Sequence, residues 1–187
     1  METVYKRQPL SSERHIRLLE VLPEDVQGIM QCSISELSLD NVVSSSSSCY
    51  NALSYTWESK HTDSYITCDG QRLPITRNCE AALRRLQRHR RNDPPQLPLW
   101  IDSICICQSD VKERNAQVRM MGEIYERAHS VIVWLGQGSA DTRFFFKYLD
   151  KRFLSGPQST WFRQNWYSKY SKDLDGTSRD ACVVFCI

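Results

Sequence analysis

Leu97-Pro98-Leu99-Trp100-Ile101-Asp102-Ser103-Ile104-Cys105-Ile106 is an apolar run broken by one carboxylate. Length and composition make it a buried strand, with Asp102 near its C-terminal end. Upstream, Asn78 is placed to cap a helix and Glu80 lies in its first turn. Cys79, Ala82, Leu83 and Leu86 give that helix one apolar stripe, and Asn92-Asp93-Pro94-Pro95 ends it. Downstream, Asp110 and Glu113 make a pair like a capping box. Val118, Met121, Ile124, Tyr125 and Ala128 then keep helical spacing down to His129. Val131 to Leu135 is a short buried strand closed by Gly136. Ser139 or Asp141 caps a last helix carrying Phe144, Phe145, Tyr148 and Leu149. This order of helices and strands predicts an α/β domain with at least one parallel crossover.

The N-terminal half adds antiparallel character. His15 to Leu22 alternates in part and stops at Pro23, so it reads as a strand, and Ile29 to Leu39 holds a second. Met1 to Arg14 reads as a polar lead-in, and Ser44 to Ser48 as a flexible loop. Tyr50 to Trp57 is aromatic enough for a buried strand. Asp69-Gly70, between Tyr65–Cys68 and Arg72–Ile75, is a hairpin signal because the turn needs positive φ. Pro74 pushes its strand to a sheet edge. The expected sheet is therefore mixed, with flanking helices.

The chain has 187 residues, enough for one domain with a real core. Hydrophobic residues make up 41% and charged residues 25%, as in ordinary globular proteins. A net charge of +2 offers no polyanion-binding field, so no nucleic-acid partner is expected. Arg84, Arg85, Arg88, Arg90 and Arg91 make the first long helix basic, which reads as a solvated face before a phosphate site. No apolar run is long enough to span a bilayer, and Met1 to Leu10 lacks a signal-type apolar core. The expectation is a cytoplasmic protein without membrane attachment, its eight cysteines mostly reduced.

Asp102 is the residue that asks for a partner. A bare carboxylate at a buried strand end is costly, and in open α/β sheets such ends border the ligand crevice. Its alternatives are to cap the following turn or to pair with Arg114. Glu113 either completes the capping box with Asp110 or faces the same crevice as Asp102 across the Cys105–Ser109 loop. In the second case Gln108 and Gln117 supply amide hydrogen bonds. Tyr50, Tyr55, Trp57, Trp100 and Trp134 are core residues first and base-stacking platforms second. Cys105 and Cys107 form Cys-x-Cys rather than a structural zinc spacing, so no metal is expected. His15, His61, His89 and His129 give no protease signature, and no glycine loop of the Walker type is present.

Three ordered blocks then carry a resemblance. They are Tyr50-Asn51-Ala52-Leu53-Ser54-Tyr55-Thr56-Trp57, Leu99-Trp100-Ile101-Asp102-Ser103-Ile104-Cys105-Ile106-Cys107-Gln108, and Glu113-Arg114 through Gln117-Val118 and Ile124-Tyr125 to Val133-Trp134-Leu135-Gly136. Together they resemble the heterokaryon-incompatibility (HET) domain of filamentous fungi over about Tyr50 to Trp166. Ile16-Arg17-Leu18-Leu19 resembles the stretch often found before it. Glu58 stands where the family usually has Gly, and Cys107 where it usually has Asn. Trp161 to Trp166 resembles the start of a further block, which breaks off at Tyr167.

The resemblance implies residues 1–49 as a lead-in, 50–170 as the domain, shortened at its C-terminal end, and 171–187 as a divergent tail. Residues after about Tyr167 are expected not to complete the native core, the alternative for the apolar tail Ala181 to Ile187 being an edge strand. The implied function is intracellular self/non-self recognition and cell-death signalling through protein partners, a second copy among them. A distant likeness to the Toll/interleukin-1 receptor (flavodoxin-like) fold, some members of which cleave NAD, implies a second reading. There Asp102 and Glu113 are catalytic and stabilise an oxocarbenium-like state, and Trp57, Gln108, Arg114 and Gln117 contact the nucleotide. NAD would be substrate, and no bound cofactor is expected. A third reading is an inactive remnant.

Overall fold

The computed structural model describes residues 2–42, 49–57, 62–90, 97–137 and 180–186. The serine run, Arg91 with the Asn92–Pro95 stop after the basic helix, the expected last helix and the Trp161–Trp166 block lie outside them. The described chain is an α/β domain built on one mixed, eight-stranded sheet. Its strands are β1 (His15–Val21), β2 (Gln31–Ser38), β3 (Asn51–Tyr55), β4 (Ser64–Cys68), β5 (Gln71–Ile75), β6 (Leu99–Ile101), β7 (Ser130–Gln137) and β8 (Asp180–Cys186). The helices are α1 (Glu2–Arg7), α2 (Arg77–Arg90), α3 (Asp102–Cys105) and α4 (Val111–Glu126).

The strand order is β5-β4-β2-β1-β6-β3-β7-β8. β3 lies parallel to both β6 and β7, while β1 runs antiparallel to β2 and β6. The path from β3 to β6 passes through α2, and the path from β6 to β7 passes through α4 in the opposite direction across the sheet. Such a reversal puts the two helices on opposite faces. The side chains agree: on β3, Tyr55 reaches Cys79 of α2, while Ser54 reaches Tyr125 of α4.

The core follows from the periodicities. Cys79, Ala82, Leu83 and Leu86 of α2 are all buried, as their stripe predicts. On the other face Trp100 meets Tyr125 edge-on, with ring centroids 5.4 Å apart. Such an aromatic pair adds about 0.5–1.5 kcal/mol beyond its buried area. Tyr50 donates its hydroxyl proton to the Ile124 carbonyl at 2.6 Å, and the His129 N–H donates to the Tyr50 carbonyl. Those bonds lock the end of α4 to the start of β3. The hairpin forms as read: Asp69 and Gly70 both take positive φ, and β5 with Pro74 is a sheet edge.

Several elements differ from the sequence reading. The run from Leu97 is not one strand, because β6 stops at Ile101 and Asp102 begins α3. The Asp102 carboxylate accepts the Ser103 N–H at 2.7 Å, and the Cys105 thiol receives the Ile101 N–H at 3.3 Å. Both bonds favour a tight turn over further strand pairing. The polar lead-in holds a helix, α1, which buries Val4 and Tyr5. Thr76, not Asn78, caps α2, since its hydroxyl accepts the Cys79 N–H. Val118 faces out despite its helical spacing, 53% exposed. Asp180–Cys186 pairs antiparallel with β7 as an edge strand, the alternative given for the apolar tail.

Candidate functional site

The carboxyl ends of β3, β6 and β7 lie side by side, and the residues gathered there form the candidate site. Asp102 follows β6, Thr56 and Trp57 follow β3, and Trp134 lies near the end of β7. Trp57 donates its indole N–H to Asp102 Oδ1 at 3.3 Å. The Tyr55 hydroxyl donates to Ser103 Oγ at 2.7 Å. Burial holds the Asp102 carboxyl above its ordinary range, against the pull of the Ser103 and Trp57 N–H donors. Among the described residues no cation pairs with it. Burial likewise pushes the nearby Cys79 thiol up to about 12, so it is an inert thiol rather than a nucleophile.

Asn78 braces this end of the sheet. Its amide donates to the Thr56 carbonyl and its Oδ1 accepts the Trp134 indole N–H, each at 2.7 Å. Trp134 is 2% exposed, so its N–H has no solvent alternative. Asn78→Ala is expected to cost about 1–3 kcal/mol, the penalty of a buried unpaired donor. Asn78→Asp keeps the acceptor and should lose less. Urea unfolding of the two variants checks both the size and the order of these losses.

The expected site residues divide between two places. Trp57 and Asp102 meet directly, and Gln108 donates its amide to the Asp102 main-chain carbonyl at 2.9 Å. Arg114 does not pair with Asp102; it donates to the Gln108 carbonyl at 3.0 Å. Glu113 and Gln117 lie elsewhere. They line an open groove of about 810 Å³ between α1, the segment before β1 and α4, and Asp102 is not part of it. The expected single cleft holding both carboxylates is therefore not what forms. The reason is local: Asp102 leaves the strand one turn early, and Glu113 is drawn to Arg17.

Arg17 is the residue the sequence reading missed. Its side chain is 1% exposed and lies over the Tyr5 ring. The guanidinium donates to Glu113 Oε1 at 2.6 Å and Oε2 at 3.0 Å, and to the carbonyls of Gln8 and Cys105. Glu113 also accepts the Cys107 N–H at 2.7 Å. Asp110 alone caps α4, taking the N–H groups of Lys112 and Glu113, so the capping box is only half formed. One signal points to Arg17: it stands between Ile16 and Leu18 in a strand whose neighbours on both faces are apolar. Of the aromatics named as stacking platforms, Tyr50, Trp100 and Trp134 are core. Trp57 is 39% exposed.

A model of the heterokaryon incompatibility protein (HET) family matches residues 50–180, which takes in every crevice residue named above. Heterokaryon incompatibility protein 6, OR allele, of Neurospora crassa is 38% identical over 138 residues, covering 68% of this chain. That match spans 20% of the relative's length. No solved structure matches. On the family match over most of its length, the chain belongs to the heterokaryon incompatibility protein (HET) family.

Proposed function

We propose that this chain is a cytoplasmic signalling module of fungal self/non-self recognition whose output is cell death. One observation carries the reading: the HET family match covers the sheet's parallel core and the crevice at its carboxyl ends. Its partners are proteins, a second copy among them, rather than nucleic acid or membrane. Nearly balanced charge supports the first exclusion. For the second, no helix among the described residues is long and apolar enough to cross a bilayer.

The second reading, cleavage of NAD or a related nucleotide, keeps support from two features. The order β6-β3-β7 is that of the first three strands of a flavodoxin-like sheet. Asp102 is a half-buried carboxylate with no cation partner among the described residues, hydrogen-bonded to Trp57. Glu113 is the weaker candidate, since both its oxygens are held by Arg17. Inducible expression in a filamentous fungus tests the main reading: viable colonies should fall on induction. Unchanged viability overturns it. Death with cellular NAD intact removes the enzymatic reading and leaves the signalling one.

A further inference from the structure

The Asp102 carboxylate is served on one oxygen only. The Ser103 and Trp57 N–H groups both end on Oδ1, and Oδ2 takes no donor among the described residues. Arg114, the cation expected for it, donates to the Gln108 carbonyl instead. Asp102 is half-buried, and a carboxylate drawn partly out of water carries a cost that a cation beside it offsets. Its Oδ2 is not sealed from solvent, so a ligand has access to it.

The surroundings narrow the kind of cation. Trp57 is 39% exposed and bonds the carboxylate through its indole edge. Tyr55 and Tyr125 are half-buried and lie near enough to feel the same charge: burial chiefly, with Asp102 contributing, raises both phenols above their usual value. Three aromatic side chains thus stand around one unpaired carboxylate. A divalent metal asks for several hard oxygen ligands, and among the described residues no group of three His, Cys, Asp or Glu side chains is placed to hold an ion. A primary ammonium is compact and strongly hydrated. A quaternary ammonium spreads its charge over its methyl groups, and it is the cation that aromatic side chains recognise. We propose that the crevice at the carboxyl ends of β3 and β6 binds a small quaternary ammonium ion, its charge beside Asp102 Oδ2 and its methyl groups against Trp57. The proposal concerns binding alone and stands whether or not a nucleotide is cleaved there.

The test uses the full chain, choline, and the neutral alcohol of the same shape in which carbon replaces the choline nitrogen. In ¹⁵N–¹H spectra at constant ionic strength, choline should give saturating shifts at the Trp57 indole N–H and at the Asp102 and Ser103 amides. Choline should bind at least about tenfold more tightly than the alcohol, the scale of one partly desolvated cation contact. Asp102→Asn, which keeps both hydrogen bonds to Oδ1, should erase that preference. Trp57→Leu should weaken choline at least about threefold while the spectrum stays that of a folded chain. Scattered or non-saturating shifts, equal binding of the two probes, or an unchanged preference in Asp102→Asn overturns the proposal.

Discussion

Arg17→Met is expected to lower the stability of the fold by about 3–5 kcal/mol, the cost of leaving one member of a buried ion pair alone. For a chain of this size that lowers the melting temperature by on the order of 10 °C. The environment of Arg17 explains the size. Its guanidinium is sealed from water and makes four hydrogen bonds, two to Glu113 and two to main-chain carbonyls. Methionine fills the volume but leaves the Glu113 carboxylate, only 15% exposed, without its cation. Glu113→Leu is expected to be similarly harmful, because it strands the arginine and the Cys107 N–H. The double variant should lose clearly less than the sum, with a coupling of roughly 1–3 kcal/mol between these touching residues. Urea unfolding of the four proteins measures it. Single losses below about 1 kcal/mol, or strict additivity, would show that the pair does not hold α1, β1 and α4 together.

The second large effect is functional. Asp102→Asn is expected to keep the fold and abolish killing, returning induced cultures to the viability of an empty-vector control. Both hydrogen bonds to Asp102 end on Oδ1, which asparagine also offers, so the turn into α3 survives. What disappears is the charge. Because the folded carboxyl titrates above its unfolded value, the unfolded chain loses that proton first as pH rises. Stability contributed by this group is therefore lost between the unfolded value of about 3.9 and the raised folded value. Asparagine should thus melt at or slightly above the parent temperature near neutral pH, with the difference vanishing below pH about 4. Full killing by Asp102→Asn would assign that carboxylate to the turn alone. A large loss of stability would show that its charge is structural.

Much of this arrangement is legible in the amino-acid sequence. The 3.6-residue stripe of α2, the Asp69-Gly70 turn and the apolar run at Val131 are local signals, and their elements form, although β7 runs on through Gly136 to Gln137 instead of closing there. The three HET-like blocks also identify the family, because they are written in residue identity rather than in shape. Asp102 and Trp57 both stand out as site residues, and the fold brings them into contact. Local signals fail where a side chain takes a distant partner over a near one. Glu113 suits a capping box three residues from Asp110, but Arg17, ninety-six positions away, holds it instead. Asn78 suits a cap, but its amide is spent on Thr56 and Trp134, and Thr76 takes the helix start.

The same reason explains α1, β8 and the two separate sites. A polar lead-in becomes a helix only because Tyr5 finds the Ile104 carbonyl and the Arg17 face. An apolar tail becomes an edge strand only because β7 offers an unpaired row of main-chain groups. Apart from α1, α3 and β8, the amino-acid sequence determined which described segments would be helix or strand, and it determined which family the chain joins and that Asp102 needed an explanation. Only the tertiary structure decided where each polar group would find its partner. Propensity and periodicity act over a few residues, whereas a buried charge or N–H is satisfied by whatever the folded chain brings within hydrogen-bond distance.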